Sequence, residues 1–260
     1  MALYLISDLH LASDRAALCE AFSLFCRRLD GQDCLYILGD LFDYFIGFDE
    51  QDAAHLQVKA ALSEAAARGA RAFFIHGNRD FLLQEEDART LGLTLLSDTI
   101  TLPTDSGRAL LLHGDQLCRQ ELPLKLLRAL GRSRTARALF AALPAHWRHA
   151  VARFVRGKSQ QLQPKRSALP HKYGLQKEQT AALMQSLHCN VLIHGHFHLK
   201  EQGNDEFFPG SVRLALGCWG ENYSYIRAES MPQDTSTAPE ETVWHNFSLV
   251  ELPLTTLTSS

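Results

Sequence analysis

The sequence has no uninterrupted apolar run close to the ~20 residues that a membrane-spanning helix needs, so no span is expected. It also has no basic segment ahead of its first apolar stretch. MALYLISDLH meets an acid at Asp8, unlike a secretory leader. Among the six cysteines (Cys19, Cys26, Cys34, Cys118, Cys189 and Cys218) there is no C-x-x-C pair and no dense framework. Scattered thiols in an unexported chain are expected to be reduced and mostly structural, which places the chain in the cytoplasm. No internal repeat is present. What is there, 46% apolar and 21% charged residues over 260 positions, suits one large domain or a domain with an insertion.

The net charge of −3 conceals an asymmetry. Residues 119–177 hold 14 Lys and Arg against a single acid, Glu121, while the remainder holds 12 basic and 28 acidic residues. That one segment is built for an anionic partner. It offers few aromatics for base stacking and no recognised module, so nucleic acid is not the expected one.

Apolar strand-like runs recur at 2–7, 34–38, 71–76, 108–113 and 190–194. Helical patterns separate several of them. Residues 15–29 put Leu18, Phe22, Phe25 and Leu29 on one face, and 55–69 end at Gly69, a C-cap signal. This alternation predicts α/β layers with helices covering a sheet, and ligand sites at the C-terminal strand ends. The stretch 123–158 reads instead as two or three amphipathic helices, apolar on one side and Arg-rich on the other. It predicts a helical insertion; a solvated basic face on ordinary packed helices is the plainer alternative. Beyond residue 207, the segments 211–219, 222–229 and 242–252 read as strands of a second sheet, 230–241 as a polar loop, and 257–260 as a frayed tail.

The strand ends carry one kind of chemistry. Asp8 and His10 follow the first run, Asp40 the second, Asn78-Arg79-Asp80 the third, His113 the next, and His194, His196 and His198 the last. Singly, each has a dull reading: Asp40 as a helix cap, Asn78 in a turn, His113 as a satisfied core imidazole. Together they make a mixed N/O donor set without thiolates, too large for one cation and suited to two that share a carboxylate.

In order and placement these motifs resemble the calcineurin-like metallophosphoesterases, whose signature is D-x-H, G-D-x-x-D, G-N-H-[DE], H and G-H-x-H. Here they read Asp8-Leu9-His10, Gly39-Asp40-Leu41-Phe42-Asp43, Gly77-Asn78-Arg79-Asp80, His113 and Gly195-His196-Phe197-His198. The resemblance implies a β-sandwich flanked by helices. It implies one metal on Asp8, His10, Asp40 and His198, and a second on Asp40, Asn78, His113 and His196. The nucleophile is then a metal-bound water rather than a side chain, and His194 is left as a hydrogen-bonded strand-end residue.

One departure narrows the chemistry: Arg79 stands where the wider superfamily has a histidine that helps protonate the leaving group. A pyrophosphate expels a phosphate of pKa near 6, which needs charge neutralisation more than a proton. A guanidinium supplies that by bidentate contact. The contexts YILGDLFDYFIG, FIHGNRDFLL and LLHGDQLC are similar, more narrowly, to the UDP-2,3-diacylglucosamine pyrophosphatases of lipid A biosynthesis. That resemblance is dense over 1–118 and 190–218, looser across the insertion and weak after about 220. It implies two Mn²⁺ per chain and hydrolysis at the α-phosphorus to UMP and 2,3-diacylglucosamine 1-phosphate. It further implies a catalytic domain of 1–118 and 178–256 with a cap of 119–177 that holds acyl chains.

The substrate contacts it implies are Asn78, Arg79, Ser159, Arg166 and His196, with Arg79 stabilising transition-state charge. Glu121, Gln163 and Arg166 replace the family's Asp, Asn and Lys, and His198 is followed by Leu199-Lys200 rather than Arg-Pro. A monomer bound peripherally to the cytoplasmic face of a Gram-negative inner membrane is the expected setting. A broader phosphodiesterase or nucleotide pyrophosphatase, and a non-catalytic scaffold of the same fold, are the alternatives.

Overall fold

A computed structural model describes residues 1–118, 174–231 and 238–258. The N-terminal part alternates short apolar strands with helices: β1 (Ala2–Ile6), α1 (Ala16–Arg27), β2 (Cys34–Ile37), α2 (Ala53–Ala67), β3 (Arg71–Phe74), α3 (Glu85–Leu91) and β4 (Thr94–Leu95). There follow β5 (Thr99–Thr104), β6 (Gly107–Leu112), α4 (Lys177–Ser186), β7 (Val191–His194), β8 (Glu201–Asn204) and β9 (Val212–Ala215). The described chain ends with β10 (Asn222–Ser230), β11 (Trp244–Pro253) and the helical turn α5 (Thr255–Thr258). The described strands run in the order β4-β3-β2-β1-β10-β11-β5-β6-β7-β9-β8.

Alternation along each strand shows that this ladder folds back on itself as a sandwich. In β1, β2 and β3, Leu3, Leu5, Tyr36 and Phe73 face an inner cluster, which they share with Ala109 and Leu111 of β6 and Ile193 of β7. Their neighbours Ile6, Leu35, Ile37 and Phe74 face the other way, onto α1 and α2. Likewise Leu110, Leu112 and Leu192 face outward onto Met184 of α4. Strands buried on both faces need no polar side, so they read as continuous apolar runs. The two halves are joined at one edge, where β11 meets β5 through the single pair Trp244–Thr104.

Local signals account for the helices. Leu18, Phe22, Phe25 and Leu29 do face the core. The Asp52 side chain accepts from Ala54 N and His55 N at the start of α2, the usual cap chemistry. Gly69, at φ +98°, follows the end of α2 in a conformation that favours glycine.

Two expectations change, one strand was not expected, and one expected segment lies largely outside the described residues. The tail is not frayed from 257, because Leu257 is buried against the outer face of the first half-sheet and Thr256 O accepts from Arg28 Nη2 at 3.2 Å. The strand expected over 211–219 stops at Ala215, where the chain turns so that Trp219 N donates to Asp8 O at 3.1 Å. Strand β8 (EQGN) has no apolar residue and exists through its pairing with β9. Finally, the insertion expected over 119–177 lies outside the described residues except for its last four positions. Of these, Leu175 pairs with Cys118 and Lys177 already begins α4. Glu121, Ser159, Gln163 and Arg166 lie outside the described residues. Among the described residues, no helix is long and apolar enough to cross a membrane.

Trp244 is fully buried in the inner cluster, and its Nε1 donates to Pro239 O at 3.3 Å. Trp244→Ala should therefore cost about 3–5 kcal/mol, read as a lowered urea midpoint. An unchanged midpoint would show that the joint between the half-sheets is dispensable.

Candidate metal centre

The C-terminal ends of β1, β2, β3, β6 and β7 open onto one rim, where the loops carry the seven residues singled out in the sequence. The backbone there is unusual. Asp8, His10, Asp40, His196 and His198 all have φ between +51° and +71°. Asp and His are among the few residues that tolerate this region, and strained positions of this kind gather at functional sites. The loops also pack backbone to backbone. A Cβ on Gly77 would overlap Asp40 Oδ1, and one on Gly195 would overlap Ser7 Oγ and Asp8 Oδ2.

All seven residues come together, in two groups. In the first, His10 Nε2 lies 3.2 Å from His198 Nε2, and His198 Nε2 lies 3.4 Å from Asp8 Oδ1. In the second, Asn78 Oδ1 lies 2.9 Å from His196 Nδ1 and 3.1 Å from His113 Nε2, and the two imidazole nitrogens are 3.3 Å apart. Asp40 stands between the groups, 3.9 Å from His10 Nδ1 through Oδ2 and 3.7 Å from His113 Nε2 through Oδ1. Potential donor atoms of Asp8, His10 and His198 lie within 4.8 Å of one another, as do those of Asp8, Asp40 and His113.

These donors fit cations better than they fit each other. His113 Nδ1 lies 2.8 Å from Leu38 O, so it carries the proton and Nε2 offers a lone pair toward Asn78 Oδ1, itself an acceptor. Asp8 Oδ2 accepts from Ser7 Oγ at 2.7 Å and His196 N at 2.8 Å, while Asp8 Oδ1 and His10 Nδ1 are buried without a hydrogen-bond partner. Lone pairs directed at a common point, on buried atoms, are what divalent cations stabilise.

Titration behaviour follows the crowding. Burial raises Asp8, but the close contact with His198 and the charges of His113, His198 and His10 outweigh it and hold the carboxyl far below the usual range. Burial and the Arg79 guanidinium push His10 well down. Burial opposes protonation of His198, yet its contacts with Asp8 and Cys218 raise it to about 10. Asp40 is pushed up to about 6 by burial, against the pull of His113 and with the added repulsion of Asp80 and Asp8.

Two residues quoted in the motifs without a role, Asp43 and Asp80, turn out to build the site, and so does Ser7, just before the first motif. Asp80 accepts from Gly77 N at 2.8 Å, Leu41 N at 2.8 Å and Asp40 N at 3.3 Å, clamping two loops with one carboxylate. Asp43 holds Arg79 Nη1 at 2.5 Å, which sets the guanidinium beside Asp40 Oδ2, 3.6 Å from Nε. Ser7 orients Asp8. The acids at positions 43 and 80 were visible in the motifs, but only the fold shows that their partners are backbone amides and Arg79. His194 is fully buried, Nδ1 2.9 Å from Gly195 O, and it stands outside both groups.

Residues 1–200 match the family model of the calcineurin-like phosphoesterases. The chain is 37% identical over 238 residues to a UDP-2,3-diacylglucosamine hydrolase of Aeromonas salmonicida, covering 87% of this chain and 89% of that protein. It is 37% identical over 224 residues to one of Haemophilus influenzae strain Rd (86% and 92% covered). To one of Shewanella sp. strain ANA-3 it is 34% identical over 235 residues (90% and 96%).

Proposed function

Since the chain belongs to the calcineurin-like phosphoesterases and, within them, to the family of the UDP-2,3-diacylglucosamine hydrolases, we propose that it hydrolyses the pyrophosphate bond of UDP-2,3-diacylglucosamine to UMP and 2,3-diacylglucosamine 1-phosphate. The observation that carries this reading is the pair of donor groups on either side of Asp40, with Arg79 anchored beside them. One group, Asp8, His10 and His198, holds a divalent cation with Asp40. The other, Asn78, His113 and His196, holds a second with the same carboxylate. A set of oxygens and imidazoles without thiolate suits manganese. When bound, such a pair supplies Lewis acidity at the phosphoryl oxygens and a nucleophile at neutral pH.

The chain's own residues do the rest. Arg79 has no lone pair to give a metal, and its ion pair with the fully buried Asp43 fixes where its charge sits. It faces the substrate phosphates and neutralises the charge that builds on the departing phosphate. Asn78 and His196 stand at the same rim, within reach of a phosphoryl oxygen. Residues 1–118 and 178–256 form the catalytic body. Residues 119–177 form a cap, with Ser159 and Arg166 on the substrate and an apolar face for the acyl chains. The cap's basic residues bring the enzyme to the anionic cytoplasmic face of the inner membrane, where it works as a peripheral monomer. This part rests on the charge of the segment, 14 basic residues against one acid.

The substrate assignment is tested with the metal-stripped protein. Activity should return best with Mn²⁺, at two ions per chain. kcat/KM should favour UDP-2,3-diacylglucosamine over deacylated UDP-glucosamine by several orders of magnitude, since each buried CH₂ contributes ~0.8 kcal/mol. Equal kcat/KM on the two would instead indicate a phosphodiesterase of broad specificity. Arg79→Ala should keep both metals while kcat falls by roughly 10²–10³, as when one oxyanion donor is removed; loss of a metal would contradict its role. If about four basic residues meet an anionic vesicle at ~1 kcal/mol each, partitioning rises nearly a thousandfold and weakens with salt. Partitioning that ignores salt would remove the membrane part of the proposal alone.

A further inference from the structure

The two imidazoles that share Asn78 are held from behind by different acceptors. His113 Nδ1 meets a backbone carbonyl, Leu38 O, at 2.8 Å. His196 Nε2 instead faces a thiol, with Cys118 Sγ at 3.8 Å. Cys118 Sγ is also 3.1 Å from Asp115 O, a carbonyl that can only accept. The S–H therefore points at Asp115, and a sulfur lone pair is left for His196. A neutral imidazole has one N–H, and the hydrogen bond made by one nitrogen decides whether the other offers a lone pair.

The place of Cys118 in the fold gives this contact a second side. Cys118 forms an antiparallel bridge with Leu175, and Gln176 N donates to Leu117 O at 2.8 Å. Leu175 packs with Leu117 and Met184 on the outer face of the second half-sheet. The same residue thus ties the strand segment that leads into residue 119 to the segment that returns from 173, and touches a side chain of the second donor group.

We propose that Cys118 is a positioning residue for His196: when Nδ1 holds a cation, its sulfur accepts the Nε2 proton, steadies the ring with Nδ1 toward Asn78 and His113, and couples that one metal position to the Cys118–Leu175 stem. The inference rests on the reading that Asn78, His113 and His196 hold a cation. Groups behind a metal-bound histidine typically change metal affinity 10–100-fold when removed. Sulfur is a weak acceptor, so the low end applies. The contact that Cys118 makes with the donor set falls on His196, so the second position is the one expected to respond.

The test uses the full chain, stripped with EDTA and titrated calorimetrically with Mn²⁺, as wild type, Cys118→Ser and Cys118→Val. Wild type should take up two ions. The valine variant should bind one as before and the other about tenfold more weakly, and serine, which restores an acceptor, should recover most of the loss. A second reading comes from ¹⁵N spectra of the histidine rings with a diamagnetic cation, Zn²⁺, bound. The His196 Nε2–H resonance should shift in the valine variant and return toward wild type in the serine variant. The proposal is overturned by a valine variant that titrates like wild type, by equal weakening of both positions, by a serine variant no better than valine, or by a His196 resonance that ignores the substitution. Wild type that takes up no pair of ions would instead defeat the functional reading beneath it.

Discussion

The hydrogen bond from His113 Nδ1 to Leu38 O, 2.8 Å long and fully buried, decides whether there is a site at all. His113 rises from β6 in one half of the sandwich and Leu38 ends β2 in the other. The bond therefore fixes the two halves in register at the rim and at the same time turns Nε2 toward Asn78. Space for it comes from Gly39, where a Cβ would stand 2.5 Å from the Gly77 backbone and 2.9 Å from His113 Nδ1. Beneath it, Leu5, Tyr36, Leu111 and Ile193 hold the half-sheets at a set distance. A rim assembled from five strand ends is only as precise as that seam, because donors must be held to within about 0.5 Å of a working geometry.

The carboxylates divide the work according to how fully each is satisfied. Asp80 receives three backbone N–H groups and is spent on structure. Asp43 is committed to Arg79. Asp8 has one oxygen satisfied and the other without a hydrogen bond, facing His198 Nε2 at 3.4 Å. Asp40 receives the amide of Arg79 at 2.9 Å on Oδ1 and has the Arg79 guanidinium 3.6 Å from Oδ2, against which stand burial and the negative Asp80 and Asp8. Burying an acid without full compensation is unfavourable. The fold accepts that cost at the two carboxylates from which added positive charge returns the most.

How much of this was legible in the sequence depended on whether a residue acts through its type or through its surroundings. Apolar runs ending in Asp, Asn or His announced the strands and the donor set, because burial and metal affinity are properties of the residues themselves. The backbone strain at Asp8, His10, Asp40, His196 and His198 was not visible, since φ is imposed by how loops from separate strands collide. Nor was β8, whose EQGN carries no strand signal and is ordered by its neighbour. Leu257 looked like part of a loose end; a single apolar side chain finding a gap in the outer core reversed that. Asp80 showed the same limit in reverse, an acid whose partners are amides that no pattern of side chains reveals.

The strand order has a consequence for how the chain comes together. β1 lies between β2 and β10, and Ala2 pairs with Glu229. One edge of β1 therefore waits until β10 has been made before its partner exists. Contacts so distant in sequence are slow to form, and an unpaired apolar edge invites the wrong neighbour meanwhile. The βα units of the first half can close on α1 and α2 early, as a half-finished layer. The seam between the halves, and with it the donor set at the rim, forms only when the C-terminal hairpin of β10 and β11 docks. Synthesis and assembly of the site are separated in time by the topology itself, which makes the β10–β11 hairpin, with none of the seven donors on it, the part that switches the rest on.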